Sequence, residues 1–435
     1  MDTNFMAGWP KSVWLISLST LLLTGLGCKH DPVEDGPVPD VFVTTPTTAA
    51  IQAAIDAAPS NGAHIILPPG DYVATAQVSL TSKNRITLDG QGKVNWIGSS
   101  SVPCVFAVLG TCRSVRLTGI NFSSTAGAGT YYQGLISTFE QSFIDGYEID
   151  HCRFTAPNAP INLISFLPYS PLNESGNGRG AMQRNIYIHD CVAIDGGRAF
   201  CELNSHVHAD GKTDVYFENF RFSNNTVTNM GLQHATFGPA LSISGMGNHI
   251  TVDSNAITDA KYSGLEFVNN QNVLSTNNRF ETIRNTYNAY SISQAGTGAN
   301  NTVKLMNNGG TVKGRAYALH DIESFTVTGG MFTAGQKIEL IRAKNGSIRQ
   351  VTMTISNDVN GIFMGESEAV EMSNNELTTT QVPYTTSVVT IPATSRRIVV
   401  KDNVLSRPAS ATGSFVQSET SSGNTIGPNV EKTIQ

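Results

Sequence analysis

A short pattern recurs along most of this chain: an apolar strand, a polar step that often ends in asparagine, and another apolar residue. Two copies superimpose with Asn255 on Asn278 and Ile257 on Phe280, an offset of 23 residues. The copies lie at 117–122, 149–154, 188–193, 222–227, 252–257, 274–280, 305–312, 327–332, 348–353, 370–377 and 399–405. Each copy can bury only one face, so neighbouring copies must complete the core, and the pattern predicts a solenoid of stacked strands.

The composition agrees with a large β-rich core. Hydrophobic residues make up 40% of the chain, charged residues only 14%, and 40 glycines favour short strands and turns. A net charge of -6 gives no general attraction to nucleic acid. A β-sandwich is the alternative fold, but the copies lack the regular hairpin turns of that class.

The N-terminal segment is typical of an exported protein. Lys11 precedes an apolar run at 13–23 that is too short to span a bilayer. The following Thr-Gly-Leu-Gly-Cys resembles the lipobox of bacterial lipoproteins and implies a signal peptide at 1–27, lipidation of Cys28 and a tether at 28–42. We therefore expect a lipoprotein of the outer membrane or cell surface, held to the membrane only by its lipid. An ordinary signal peptide, with a periplasmic or secreted product, is the alternative.

The region after the tether carries the most specific motifs. Apolar residues at helical spacing predict a short helix at 48–58, which Pro59 ends. Ile-Gln-Ala-Ala-Ile-Asp-Ala-Ala, Ile-Leu-Pro-Pro-Gly-Asp-Tyr and Leu-Asp-Gly-Gln-Gly follow one another here. Together they resemble the opening of the pectate-lyase-like superfamily. The resemblance implies an all-β, single-stranded, right-handed parallel β-helix with a short N-terminal capping helix, in a monomer. The cap and first coils would occupy 43–96, and the remaining coils 97–435.

Unequal intervals between the copies predict where a binding groove lies. Enlarged intervals place insertions at 166–180, 197–214, 230–248 and 285–300. Loops that project from a rigid scaffold concentrate binding groups, and insertions on adjacent coils can wall a groove.

Two cations fall in this region. The offset of 23 residues that aligns Asn255 with Asn278 also places Lys261 on Arg284. Stacked strands lie about 4.8 Å apart, so like charges at one position repel and call for an anion nearby. An acidic polysaccharide would supply it, and β-elimination at a uronic acid needs such a pair: Lys261 as the base, and Arg284 on the substrate carboxylate or assisting the leaving group.

The pair resembles that of chondroitinase B and the related alginate lyases, where a lysine and an arginine on neighbouring coils act with calcium or acidic helpers. That resemblance implies a polysaccharide lyase and brings in calcium as a candidate cofactor, with Glu266 and Asn269 as loose candidates to bind it. His234 is a candidate second proton carrier. The candidate substrate-binding residues are Tyr262, Glu266, Tyr287, Tyr290, Arg315 and Lys337. The alternative is a pair of solvated surface cations.

Other polar groups support weaker hypotheses. His206, His208 and Asp210 alternate and would share one face of an extended segment, but they lack a fourth defined metal ligand. Cys152 and Cys191 take the place that Asn255 has in its own copy, which predicts inward-facing core residues and leaves a disulfide open.

Two further functions remain open. Asp195 and Asp259 occupy equivalent positions two coils apart, with Asn229 between them, so they would lie about 9.5 Å apart. That spacing suits the carboxyl pair of an inverting glycoside hydrolase. The third class is a non-catalytic surface adhesin or polysaccharide-binding protein, because one fold hosts many functions.

Overall fold

The computed structural model describes residues 36–125, 127, 133–139, 142–167, 183–204, 217–282, 287–293, 302–357, 359–418 and 423–435, without the side chain of Met246. The predicted signal peptide, Cys28 and most of the tether lie outside these residues, as do Arg284 and the His206, His208 and Asp210 group. The described part of the chain contains no helix with the length and hydrophobicity of a bilayer-spanning segment.

The body at 38–435 is built from parallel strands that wind through three faces, and every pairing between named strands is parallel. The first sheet contains Asp40–Phe42, Ala63–Ile66, Phe143–Asp150, Gln183–His189, Phe217–Ser223, Thr302–Met306, Ser324–Thr328, Lys344–Arg349, Glu368–Ser373, Val399–Lys401 and Thr425–Ile426. The second sheet contains Gly70–Val73, Arg153–Ala156, Val192–Gly196, Thr226–Met230, Ala256–Thr258, Arg279–Glu281, Gly309–Arg315, Met331–Gln336, Thr352–Ile355, Glu376–Thr379, Val404–Pro408 and Val430–Ile434. The third sheet contains Val78–Thr81, Phe106–Leu109, Gly134–Thr138, Asn162–Phe166, Cys201–Asn204, Asn288–Ser293, Tyr317–His320, Ile338–Ile341, Ile362–Gly365, Val389–Ile391 and Val416–Ser418.

Four long strands bend from one face to the next. Asn84–Gly98 and Thr111–Ser124 join the first sheet to the second, whereas Leu241–Asp253 and Ser263–Thr276 join the third sheet to the first. This is the right-handed parallel β-helix that the sequence resemblance implies, and that prediction is confirmed.

The capping helix is also confirmed, at Thr48–Ala57. Thr47 is its N-cap and accepts a hydrogen bond from the amide of Ala50 at 3.2 Å. Ile51 and Ile55 are fully buried in the core, as the helical spacing predicts.

An asparagine ladder stacks the coils at the turn between the first and second sheets. Asn255 Nδ2 donates to Asn278 Oδ1 at 2.8 Å, and Asn278 Nδ2 donates to Asn308 Oδ1 at 3.1 Å. The residues before Asn278 and Asn308 have positive φ, which asparagine tolerates well, and this explains the repeated Asn-Asn steps. The predicted alignment is confirmed, because Ile257 pairs with Phe280.

In earlier coils, cysteines occupy the position that the ladder asparagines have in later coils. Cys152 and Cys191 are buried, as predicted, and all five described cysteines are free thiols. Their contribution is therefore packing within the core.

Three predicted insertions contain a strand of the third sheet or its first residues. Cys201–Asn204 lies within 197–214, the first residues of Leu241–Asp253 lie within 230–248, and Asn288–Ser293 lies within 285–300. The loop proper of the 230–248 insertion is therefore confined to 231–240.

Candidate active site on the third sheet

The outer face of the third sheet carries a row of aligned positions. Glu202 pairs with Ser242, and Ser242 pairs with Glu266. Side chains alternate along a strand, so the flanking Leu203 and Phe267 fill the core while the glutamates point outward. Two strand spacings separate the glutamates, which places their Cα atoms about 10 Å apart.

Glu202 is held as part of a buried ion pair. Both of its oxygens accept from the guanidinium of Arg198, with the Nη2–Oε1 distance at 2.9 Å. Asn162 Nδ2 donates to Oε2 at 2.6 Å and Asn162 Oδ1 accepts from Arg198 Nη1 at 2.9 Å. Glu202 is 2% exposed and Arg198 is 7% exposed. The cation compensates the burial of the carboxylate and fixes its plane.

Glu266 has a different environment. It is 8% exposed, and its Oε2 accepts a hydrogen bond from Ser242 Oγ at 2.6 Å. Burial raises the pKa of Glu266, and the opposing effects of Ser242 and Arg198 do not cancel the rise. A carboxyl group with a raised pKa next to a charge-paired carboxylate has the environment of a general acid.

The loop at 231–240 forms a rim beside these glutamates. Lys261 pairs with Gly238 through the backbone, and Lys261 Nζ donates to the carbonyl oxygen of His234 at 2.8 Å. The Phe237 ring lies under the Arg198 guanidinium, whose central carbon is 4.5 Å from the ring centroid. The ring centroids of Phe237 and Tyr262 are 6.3 Å apart. Tyr262 is 46% exposed, so its ring is available to a ligand.

His234 is not a base in this geometry. Its Nδ1 accepts hydrogen bonds from the amides of Phe237 at 2.9 Å and Thr236 at 3.3 Å. Burial and the cations Arg198 and Lys261 lower the pKa of His234, which favours the neutral ring. The neutral ring then carries its proton on Nε2 and can donate a hydrogen bond to a ligand, but it has no lone pair left for proton abstraction.

The repeat also places Arg315 and Lys337 close to the position of Lys261 and Arg284 in the next two coils, as a basic stripe, and the structure agrees with this only in part. Arg284 lies outside the described residues, so its pairing with Lys261 stays a prediction. The strand register places Arg315 at the position of Ser263, because Ser263 pairs with Asn288 and Tyr290 pairs with Tyr317. Arg315 and Lys337 are therefore not continuations of the Lys261 position. They converge instead on Glu339, farther along the same sheet.

Two of the three tyrosines proposed to stack on sugar are core residues. Tyr287 and Tyr290 are 1% and 0% exposed, and burial raises the pKa of both. The Tyr287 hydroxyl donates to the carbonyl of Glu281 at 2.9 Å, and the Tyr290 hydroxyl lies 2.8 Å from Ser275 Oγ. The prediction was wrong because these rings face the coil interior, where their hydroxyl groups find partners.

Asp195 and Asp259 lie at the ends of strands of the second sheet: Asp195 is the next-to-last residue of Val192–Gly196, and Asp259 follows Ala256–Thr258. The register aligns them two coils apart with Asn229 between them, and all three have positive φ. Asn229 Nδ2 donates to Asp195 Oδ1 at 2.6 Å, and Asp259 is 3% exposed. Short polar side chains favour this backbone conformation, which accounts for the Asp-Asn-Asp stack without catalysis. The outward glutamates of the third sheet are the better carboxyl pair.

The described residues contain one group of three potential metal ligands, Glu148, Asp150 and His189. Arg116 binds both oxygens of Asp150, at 2.8 and 2.7 Å, so a cation already occupies that position. Calcium prefers six to eight oxygen ligands. This group therefore does not fit calcium. Binding of calcium by Glu266 and Asn269 stays a prediction, and the proposed mechanism does not use it.

Glu202, Arg198, Asn162 and Ser242 were not among the residues selected from the sequence. A signal for the glutamates exists, because Cys201-Glu202-Leu203 and Leu265-Glu266-Phe267 share an apolar-Glu-apolar pattern, repeated at 338–340. A charged residue between two core positions is unusual, since burial of a carboxylate costs free energy.

Comparison with known proteins supports the fold. No protein-family model matches the sequence, and no curated protein sequence is significantly similar. The tailspike protein of E. coli bacteriophage HK620 aligns with 85% of this chain and 74% of its own, at 12% identity and a TM-score of 0.51. The chain is a parallel β-helix.

Two other solved structures align at lower TM-scores. The tailspike receptor binding domain of siphovirus 9NA covers 91% of this chain and 76% of its own, at 10% identity and a TM-score of 0.48. The adhesin PfbA of Streptococcus pneumoniae covers 85% and 87%, at 12% identity and a TM-score of 0.47. At identities of 10–12% none of these structures carries an argument about function, so function has to be argued from the site.

Proposed function

We propose that the protein cleaves glycosidic bonds of a polysaccharide bound along the outer face of the third sheet. The observation that carries the proposal is the pairing of Glu266, a nearly buried carboxyl group with a raised pKa, with Glu202, a carboxylate held by Arg198. When the surroundings of two neighbouring carboxyl groups push their pKa values apart, the group with the higher pKa can act as the acid.

In this mechanism Glu266 protonates the leaving glycosidic oxygen. Glu202, charged beside Arg198, takes a proton from a water molecule as the oxygen of that water attacks the anomeric carbon from the opposite face of the sugar. Oε1 of Glu202 accepts one hydrogen bond from the described residues, from Arg198 Nη2, which leaves a lone pair for that water. Inverting glycosidases separate their carboxyl groups by about 6.5–9.5 Å, and the two strand spacings between these glutamates, about 9.5–10 Å, lie at the upper limit of that range.

The rim would orient the substrate. Tyr262 offers an exposed ring for a sugar face, and the Nε2 proton of His234 offers a hydrogen bond to a hydroxyl group. The same proposal includes export of the protein as a lipoprotein attached through Cys28, and an acidic polysaccharide as substrate.

A second candidate is a polysaccharide lyase, and the position of Lys261 favours it. Lys261 is partly exposed at the rim, and its amino group has one hydrogen bond from the described residues, to the carbonyl of His234. Lys261 would then remove the proton next to a uronate carboxylate, and Arg284 would bind that carboxylate. The two mechanisms give different products, because elimination leaves an unsaturated uronate and hydrolysis does not.

The test is incubation with pectate, alginate, glycosaminoglycans and neutral polysaccharides while reducing ends and ultraviolet absorbance are followed. The proposal predicts reducing ends without the absorbance of an unsaturated uronate, and loss of this activity in Glu266→Gln. Glu376→Gln is the matched control, because Glu376 is exposed on the second sheet. Reducing ends accompanied by that absorbance, and lost in Lys261→Ala, would favour the lyase. Binding without either product would favour an adhesin.

A further inference from the structure

A third outward glutamate lies in the same row as the proposed acid. Glu266 pairs with Ser291, Ser291 with Ala318, and Ala318 with Glu339. Three strand spacings place Glu339 about 14 Å from Glu266 along the helix axis. The intervening serine and alanine are small, so the row has no large side chain between the two glutamates.

Three basic side chains converge on Glu339. Arg315 Nη2 lies 3.3 Å from Oε2, His320 Nε2 lies 3.1 Å from Oε2, and Lys337 Nζ lies 3.2 Å from Oε1. The glutamate side chain is 8% exposed, whereas the basic side chains are 25–33% exposed. The carboxylate is therefore beneath the cations, and the cations form the surface.

The charges in this cluster do not balance. Arg315 and Lys337 contribute two positive charges against the one negative charge of Glu339, and His320 adds a third when it is protonated. The hydrogen bond from His320, with the charges of Arg315 and Lys337, lowers the pKa of Glu339 to about 2, so the carboxylate stays ionised at neutral pH. A local excess of positive charge in a chain of net charge -6 is the arrangement that attracts an anion.

The cations are also held in place. Lys337 Nζ lies 4.3 Å from the centroid of the Phe363 ring, and Phe363 pairs with Glu339 in the next strand of the row. Cation–π contact and the shared carboxylate restrict both long side chains. Partly exposed cations that are already oriented lose less conformational entropy when they bind a ligand.

We propose that Arg315, Lys337 and His320 form a subsite for an anionic group of the bound glycan, a carboxylate or a sulfate, a few sugar residues from the cleaved bond. The placement relative to that bond depends on the proposed function, whereas the anion preference of the cluster does not. An arginine suits a planar carboxylate or a sulfate because it can donate two parallel hydrogen bonds.

The test is calorimetric measurement of oligosaccharide binding. Hyaluronan and polygalacturonate oligosaccharides carry carboxylates only, and their carboxyl-reduced forms serve as uncharged counterparts. Dextran sulfate oligosaccharides carry sulfates only. The proposal predicts tighter binding of at least one anionic probe than of its uncharged counterpart, with dextran as the counterpart of dextran sulfate. In Arg315→Ala/Lys337→Ala this preference should fall about tenfold or more, because two charge-assisted contacts are lost. The control Lys344→Ala removes an exposed cation from a 3.0 Å pair with Glu323 on the first sheet and should leave the preference unchanged.

The result separates the two proposals. Equal binding of charged and uncharged probes, or an unchanged preference in the double variant, overturns the subsite. An unchanged preference in Glu266→Gln is expected, because that variant removes the acid and leaves the cluster intact. Absence of glycan cleavage by the wild-type protein, with the charge preference present, refutes the proposed function and leaves the subsite standing.

Discussion

Replacement of Asn278 by alanine tests whether the asparagine ladder stabilises the coils below the proposed site. Asn278 is 1% exposed, and its Oδ1 accepts from the amide of Asn255 at 3.0 Å and from Asn255 Nδ2 at 2.8 Å. Its Nδ2 donates to the carbonyl of Val252 at 3.1 Å and to Asn308 Oδ1 at 3.1 Å. Nδ2 also lies 2.9 Å from Ser275 Oγ and 3.5 Å from the Tyr290 hydroxyl. Alanine removes all of these bonds and leaves a backbone amide and a backbone carbonyl without these partners.

Each buried polar group left unsatisfied costs about 1–3 kcal/mol, so Asn278→Ala should lower the free energy of unfolding by about 3–5 kcal/mol. The control is Asn429→Ala at the last rung. Asn429 accepts from the amide of Asn403 at 3.1 Å but is partly exposed, so water can replace its bonds and the loss should be about 1 kcal/mol.

Urea denaturation followed by circular dichroism measures both losses. Hydrogen exchange locates the first one, since the Asn255 amide should lose protection in Asn278→Ala. Equal losses in the two variants, or retained protection of the Asn255 amide, would refute the view that buried side-chain ladders hold these coils together.

Three further predictions concern other parts of the chain. Burial alone would raise the pKa of Asp150, but hydrogen bonds from Arg116 and His151 outweigh it and lower the pKa to about 2. The ionised carboxylate therefore stabilises the folded state fully above the usual pKa near 3.8, and this stabilisation is lost as pH falls towards 2. Asp150→Asn should therefore cost about 2 kcal/mol at pH 7 and flatten the acid limb of a stability–pH curve; an unchanged acid limb would contradict this. Lys261→Ala should loosen the 231–240 loop at His234, where one side-chain hydrogen bond is lost while the backbone pairing with Gly238 remains, and should raise KM more than it lowers kcat. The thermal midpoint should stay within about 3 °C of the wild type; complete loss of kcat would instead indicate a base. Cys28→Ser should abolish incorporation of labelled palmitate in a bacterial host, and persistent labelling would exclude lipidation at this residue.

Much of the fold could be predicted because it depends on local repetition. The repeated sequence pattern is an apolar strand that ends at an inward asparagine, which follows a residue of positive φ, as at Asn277-Asn278 and Asn307-Asn308. Strands of the first and second sheets lie on either side of this pattern, so both sheets could be located from the sequence. The third sheet was missed, because its strands follow loops of unequal length.

The candidate site could be predicted only in part, for the same reason. Lys261 was selected because the repeat offset places it on Arg284, and His234 because it lies just past the corresponding turn of the preceding coil; the structure places both at the rim. Glu202 and Glu266 are 64 residues apart in sequence and meet only through the register of the third sheet. Tyr287 and Tyr290 were misassigned because an aromatic residue in a coil fills the interior as readily as it lines a groove.

Cleavage in water labelled with heavy oxygen tests the central claim most directly. If Glu266 is the acid of a hydrolytic site, mass spectrometry should find one heavy oxygen atom in each new reducing end formed by the wild-type protein. The rate should fall about 100- to 10,000-fold in Glu266→Gln, the usual range for loss of a general acid. Unlabelled products with an unsaturated uronate, or an undiminished rate in Glu266→Gln, would contradict the account.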